Sequence, residues 1–498
     1  MSIALDGNSL QLADVSAVAD SFAHVSLAAA ARSRMQASRA IVEDLASRGA
    51  AVYGVTTGFG KLSDIAIPAE QLAQLQLNLV RSHAAGVGPR LEERFVRAMM
   101  LLRANCLAKG FSGARPELVE LLCAMLNARL WPDVPEQGSV GASGDLAPLA
   151  HLALAIVGEG TLNHPGGRGE AKAVLAAHGL APVALGPKEG LALINGTQAH
   201  SAIAALSVAE ARRLWETAHV AGAMTLEALL GTPTAFDPRI HAVRGQRGQQ
   251  ESAQRFLALL EGSEIRESHR DGDARVQDAY GLRCMPQVHG PVLQAIEFAE
   301  SLIAPELNAA TDNPLVFDDG TMLSGGNFHG QAAAMALDVL AIAVTNLAVM
   351  SERRTDRLTH PDLNEGLPPF LTPTAGVSSG FMMAQVTAAA LTSECKVLAH
   401  PASVDTIPTD GSKEDVVPMA MGAALKLRRI LHNVRHVLAV ELMCAAQGLE
   451  FRRPLKSAPG VEAAFGAVRA RVPALAGDRV LGPDIESIAS GVGGGEFV

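Results

Sequence analysis

Tyrosine is nearly missing from this chain. Tyr53 and Tyr280 are the only two in 498 residues, tryptophan also occurs twice, and aromatics together make up 4%. Positive charge is scarce as well: 41 Lys and Arg stand against 51 Asp and Glu, for a net charge of −10. No basic block or aromatic-interleaved basic stripe occurs, which argues against a nucleic-acid partner. Cysteine is limited to Cys106, Cys123, Cys284, Cys395 and Cys444. The number is odd and no CxxC pair exists, so neither a disulfide framework nor a zinc site is expected; free thiols fit a reducing cytoplasm. Met1–Asp6 lacks a basic n-region and an apolar h-region, so no signal peptide is expected. Apolar stretches are interrupted by Asp, Glu, Arg or Pro, and none reads as a membrane span. The longest uncharged run, near 366–393, is full of Pro, Gly, Ser and Thr. His432 and His436 stand four apart without an intervening Glu, and His289 and His360 lack partners at ligand spacing. No metal site is expected. Internal repeats and low-complexity blocks are absent too.

Alanine and leucine dominate what remains. With 48% hydrophobic residues and positive mean hydropathy, the chain carries more apolar surface than a monomer needs, which favours an oligomer. Apolar periodicity predicts helices over 68–80, 91–109, 116–130, 198–230, 286–306, 330–358, 380–398 and 414–448. An earlier helix is expected to be capped by Ser26, with Leu27, Met35, Ile41 and Leu45 on its apolar face. Residues 51–61 read as a short strand entering a loop, 159–188 as a surface excursion, and Gly491–Gly495 as a loose tail. The chain divides near residue 200: a glycine-punctuated part over 1–200, then long helices over 201–498. The expected class is mainly α.

The most informative run is Gly138-Ser139-Val140-Gly141-Ala142-Ser143-Gly144-Asp145-Leu146-Ala147-Pro148-Leu149. Small-residue runs are most often plain turns. Here the small side chains also let a backbone nitrogen fold back on a nearby carbonyl, and Ser143 carries a hydroxyl that can leave as water. With Pro148 and His151, the run resembles the signature of the histidine/phenylalanine/tyrosine ammonia-lyase family. Further blocks extend that resemblance from about residue 50 to 420. It implies that Ala142, Ser143 and Gly144 cyclise to 4-methylidene-imidazol-5-one (MIO), with no external cofactor. It also implies an N-terminal MIO domain, a long central helical bundle, and a homotetramer with a superhelical core and shared active sites.

Other matched blocks imply roles. Tyr53, in Val52-Tyr53-Gly54-Val55-Thr56-Thr57-Gly58-Phe59-Gly60, would be the base for the β-proton; a phenol needs nearby positive charge or donors for that. Asn195 would steady the MIO carbonyl oxygen. In Gln277-Asp278-Ala279-Tyr280-Gly281-Leu282-Arg283, Tyr280 would handle protons, Gln277 would hydrogen-bond nearby, and Arg283 would pair with the substrate carboxylate. Asn327 and Phe328 would face and line the pocket. Taken without the motifs, each of these residues has an ordinary reading: a half-buried core tyrosine, a turn asparagine, a surface arginine. Ser82-His83, ahead of a glycine-rich turn, and Glu414 match the histidine-type pattern, and a His and a carboxylate can bracket an imidazole. The second block departs from that pattern at Lys413, Val416 and Pro418, and a lysine beside Glu414 could neutralise or move it. The expected reaction is L-histidine to urocanate and ammonia. The alternatives are a tyrosine or phenylalanine ammonia-lyase, an aminomutase, or a helical scaffold without catalysis.

Overall fold

The computed structural model describes residues 2–48, 52–273 and 275–498. They form two units. One gathers 1–206, 299–338 and 401–425; the other gathers 207–298, 339–400 and 426–498. Both are mainly helical.

In the first unit the central helix is Glu93–Ala108. Alanine, leucine, methionine and arginine fill it, all good helix formers. From Phe95 to Ala108 every residue is buried, as expected for a helix that is apolar on all sides. Two arginines sit inside it with no exposure. Arg97 donates to the carbonyls of Val18 and Leu126, and its guanidinium lies 4.5 Å from the Phe22 ring centre. Arg103 donates to the carbonyls of Ala192 and Asn195 and to Gln198 Oε1. Satisfying these donors offsets the cost of burying the charge, and Arg103 thereby fixes the backbone at Asn195. Helices Pro116–Asn127 and Leu146–Ile156 belong to the same unit. Small sheets sit among them: Ser2–Leu5 pairs in parallel with His24–Leu27, and Thr161–His164 runs antiparallel to Gly167–Glu170.

The second unit has a buried ion pair. Arg354 Nε and Nη2 donate to Glu441 Oε1 and Oε2 at 2.5 and 2.8 Å, and Thr225 Oγ1 donates to Oε1 at 2.8 Å. In the same unit, Trp215, His219, Phe256 and His289 form an aromatic cluster. Burial pushes the His219 pKa down to about 3, so it is a neutral core residue.

The helices expected over 91–109 and 198–230 run Glu93–Ala108 and Gln198–Ala228. Other expectations differ. The early helix is Ala29–Ser47, with Ser26 in the preceding strand rather than at its cap. Val52–Thr57 is a turn, not a strand: Val55 and Thr56 N–H groups both donate to the Val52 carbonyl, and Gly54 has φ +75°. Ala51 lies outside the described residues. The glycine tail is helical over Gly482–Gly494. There Arg471 donates to the Ser487 carbonyl at 2.8 Å, and a Cβ at Gly491 would lie 2.8 Å from Arg471 Nε. The glycine lets the helix approach that side chain. Among the described residues one helix, Gln331–Thr359, is long and apolar enough to cross a membrane; 72% of its most apolar window is buried.

Candidate active site

The small-residue segment is clamped from three sides. Before it, the Gly141 carbonyl accepts from Gly330 N–H at 3.0 Å. After it, Asp145 N–H donates to the Gly196 carbonyl at 2.7 Å. Beside it, Asn195 Nδ2 donates to the Ser143 carbonyl at 2.9 Å. Gly144 has φ +70°, and a Cβ there would lie 2.1 Å from the Gly196 oxygen. Only glycine fits, on conformation and on space.

Asp145 is the anchor of this arrangement. Fully buried, its Oδ2 accepts from Ala199 and His200 N–H, each at 2.9 Å, capping the helix Gln198–Ala228. Its Oδ1 accepts from Ser139 Oγ at 2.7 Å. An anion at a helix N-terminus is stabilised by the orphan N–H groups and the helix dipole. His200 Nδ1 completes an ion pair with Oδ2 at 2.8 Å, with neither side chain exposed. Burial alone would raise the Asp145 pKa and lower that of His200. Their mutual attraction outweighs it: the carboxyl is held below its usual value and the imidazole above.

Ser143 opens onto a cavity of about 500 Å³ that Tyr53, Ser82, His83, Asn195, Asp410 and Glu414 also line. Tyr53 Oη accepts from Gly60 N–H at 3.3 Å. Burial raises its pKa above the ordinary phenol value; Asp410, Glu414 and Asp312 add to the rise, and the Gly60 bond opposes it. His83 Nδ1 is 2.9 Å from the Leu79 carbonyl. A carbonyl can only accept, so Nδ1 carries the proton and Nε2 is the acceptor of the neutral ring. Burial holds the His83 pKa below 6.5, ahead of the opposing Leu79 bond and carboxylates. Glu414 is fixed at both oxygens: Ser143 Oγ donates to Oε1 and Thr409 Oγ1 to Oε2.

Tyr53, Ser82, His83, Ser143, Asn195 and Glu414 are therefore brought together. Ala142 and Gly144 flank Ser143 and are buried. Asn327 and Phe328 are not among the lining residues; Asn327 Nδ2 donates to the Ala310 carbonyl at 3.1 Å. Gln277, Tyr280 and Arg283 belong to the other unit, where the Arg283 guanidinium lies 4.6 Å from the Tyr280 ring centre and Tyr280 is 70% exposed. Lys413 is exposed and makes no ion pair among the described residues, while Glu414 accepts from Ser143 and Thr409. Val416 contributes only its carbonyl, 3.1 Å from His329 Nε2.

Sequence reasoning missed Asp410, Thr409 and His200. Asp410 enters the cavity because Gly60 leaves room: a Cβ at Gly60 would lie 2.1 Å from Asp410 Oδ2. An acid four residues ahead of Glu414, beside a glycine, was the available signal. Among the described residues no cluster of three metal-ligating side chains occurs.

The segment also fits the ring that its residue types suggest. Gly144 is forced by its surroundings, the Ser143 carbonyl already has a donor, and Asn195 Oδ1 is buried with no partner among the described residues.

A model of the family described as aromatic amino acid lyase matches residues 10–470. The chain is 54% identical to the histidine ammonia-lyase of Anaeromyxobacter sp. (strain K), covering 98% of this chain and 97% of that one. It is similar to the crystal structure of histidine ammonia-lyase from Trypanosoma cruzi, with TM-score 0.93, 43% identity, and coverage of 100% and 94%. It also resembles the tyrosine aminomutase of Streptomyces globisporus, with TM-score 0.95, 38% identity, and coverage of 100% and 98%.

Proposed function

The chain belongs to the aromatic amino acid lyase family, and from that premise we propose that it eliminates ammonia from L-histidine to give urocanate. The observation that carries this reading is the cavity shared by Ser143, Tyr53, His83 and Glu414. The high identity to histidine ammonia-lyases supports it.

Ala142, Ser143 and Gly144 would close into MIO with loss of two waters. When formed, the ring supplies an electrophile for the substrate amine, which makes a poor leaving group leave more readily. Asn195 Nδ2, already on the Ser143 carbonyl, would hold that oxygen as negative charge builds on it. His83 would accept a hydrogen bond from the imidazole N–H at Nε2, and Glu414 would take the opposite side of the ring. Tyr53 would remove the β-proton. Its raised pKa means that burial, and after it the cavity's carboxylates, work against this role, so a cation must compensate, and the substrate ammonium is one. Arg283 is assigned to the substrate carboxylate, with Tyr280 and Gln277 beside it, on their motif. Asn327 and Phe328 keep pocket roles on the same ground.

A homotetramer is proposed from the apolar surplus, and the cytoplasm from the five unpaired cysteines. The resemblance to a tyrosine aminomutase keeps one second reading in view, return of the amine to Cβ. Purified protein should be assayed in parallel with histidine, tyrosine and phenylalanine. Histidine should be consumed fastest, releasing urocanate and ammonia in equal amounts. Faster turnover of tyrosine, or a β-amino product, would overturn the assignment.

A further inference from the structure

Ring formation must remove the Ser143 hydroxyl, and hydroxide is a poor leaving group. A proton delivered to Oγ as the Cβ–Oγ bond breaks converts it to water. The cavity holds four titratable side chains: Tyr53, His83, Asp410 and Glu414. Three make their hydrogen bonds with other groups. Tyr53 Oη is on Gly60 N–H, His83 Nδ1 is on the Leu79 carbonyl, and Asp410 Oδ1 is on Lys61 N–H at 3.4 Å. Among the described residues, Glu414 is the side chain that hydrogen-bonds Ser143 Oγ.

The geometry points to Glu414 as the acid that carries off the Ser143 hydroxyl while the ring is being built, in addition to any contact with substrate. This rests on the proposed MIO reading.

Glu414 is held for such a task. Thr409 Oγ1 binds its second carboxylate oxygen. The backbone closes back on itself through Thr409 N–H to the Glu414 carbonyl at 2.9 Å and Glu414 N–H to the Thr409 carbonyl at 3.4 Å. Between them, Asp410, Gly411 and Ser412 all have left-handed φ, at +46°, +58° and +64°. Three consecutive residues there are uncommon, and such backbone persists where surrounding contacts determine it. The turn's effect is to aim one carboxyl oxygen at Ser143.

The steps balance as follows. Gly144 N adds to the Ala142 carbonyl carbon; that oxygen departs as the first water with the protons of Gly144 N–H and Ser143 N–H, and a C=N bond to Ser143 N takes its place. Ser143 then loses its Cα proton to solvent, the freed pair forms Cα=Cβ, and the Cβ–Oγ bond breaks. Glu414, which accepts from Ser143 Oγ and Thr409 Oγ1 in this geometry, takes up a proton from solvent and passes it to Oγ, giving the second water and returning to the carboxylate. No oxidant or reductant is needed.

The test follows chain mass rather than turnover. Wild type, Glu414→Gln and Glu414→Ala are made by cell-free translation, chased after synthesis stops, and weighed intact over time. Wild type should become two waters lighter. Both variants should keep the second water for about 10²-fold longer or more, the span that acid–base catalysis typically contributes. Glu414→Gln is nearly isosteric and cannot supply the proton; an unchanged thermal melt shows that it folds, so it decides the matter if Glu414→Ala does not fold. Loss of both waters from Glu414→Gln at the wild-type rate would overturn this role and leave the MIO reading intact. A wild-type chain that loses no water would instead remove the MIO reading, and this inference with it.

Discussion

Replacing Asp145 by alanine is expected to destabilise the first unit more than any single change in the cavity wall. The substitution strands four donors at once: Ala199 N–H, His200 N–H and the His200 ring, all now on Oδ2, and Ser139 Oγ on Oδ1. Removing one partner of a buried ion pair costs about 3–5 kcal/mol, and loss of a helix cap costs about 1 kcal/mol. The two share one carboxylate and do not simply add, so a loss of about 4 kcal/mol is expected. Asp145→Asn keeps an acceptor for the helix and should lose about half as much. The measurement is urea unfolding at a fixed protein concentration, followed by circular dichroism and extrapolated linearly. The pH dependence carries a second signature. The depressed Asp145 pKa contributes stability that is full above about 3.9, the unfolded value, and is lost as pH falls through the folded one. The raised His200 pKa contributes stability that is full below about 6.5 and is lost as pH rises through the folded one. The gap between wild type and Asp145→Ala should therefore be widest between those limits and narrow on both sides. A loss under about 1 kcal/mol, in the range of ordinary surface changes, would refute the reasoning.

Tyr53→Phe should lower kcat by about 10²-fold or more, at a stability cost of no more than about 1 kcal/mol from the lost Gly60 N–H bond. Because the Tyr53 pKa is raised, wild-type kcat/KM should climb as pH rises above neutrality; steady-state rates in which the Phe variant keeps that climb would count against Tyr53 as base. Gly144→Ala should leave the chain at its full translated mass, because the new Cβ would collide with the Gly196 oxygen; intact-mass analysis showing a two-water deficit would contradict this. Arg354→Ala should cost about 3–5 kcal/mol by leaving Glu441 buried and unpaired, and Arg354→Met with Glu441→Leu should recover most of it in the same unfolding assay.

The long helices were legible because their apolar residues recur at helical spacing over many turns, as in 93–108 and 198–228. Short elements were not. Val52–Thr57 has strand-forming side chains, but a left-handed glycine and bonds back to Val52 fold it into a turn. The tail over 491–495 has the composition of a loose end, and only the Arg471 side chain packed against it reveals why glycine suits a helix there. In the site, residue types with distinctive motifs were legible: Tyr53, His83, Ser143, Asn195 and Glu414 all meet in one cavity. The supporting groups were not, because their partners are remote in sequence. Asp410 had one local signal, its place four residues before Glu414, but nothing near Gly60 announces their meeting, and nothing near Asp145 announces a histidine at 200. The environment of Tyr53 was also illegible, since burial and carboxylates push its pKa away from a base.

The first unit is stitched from three stretches, and the last of them, 401–425, supplies both Glu414 and Asp410. A ribosome releases the chain from its amino end. The Ala142-Ser143-Gly144 segment thus emerges long before its cavity has all its walls. Ser143 meets the Glu414 carboxylate only after 271 further residues have been added. A chain cut short before that point keeps its small-residue loop but lacks part of the enclosure. Chemistry at that loop would then wait for residue 414, and chains cut short before it would stay inert.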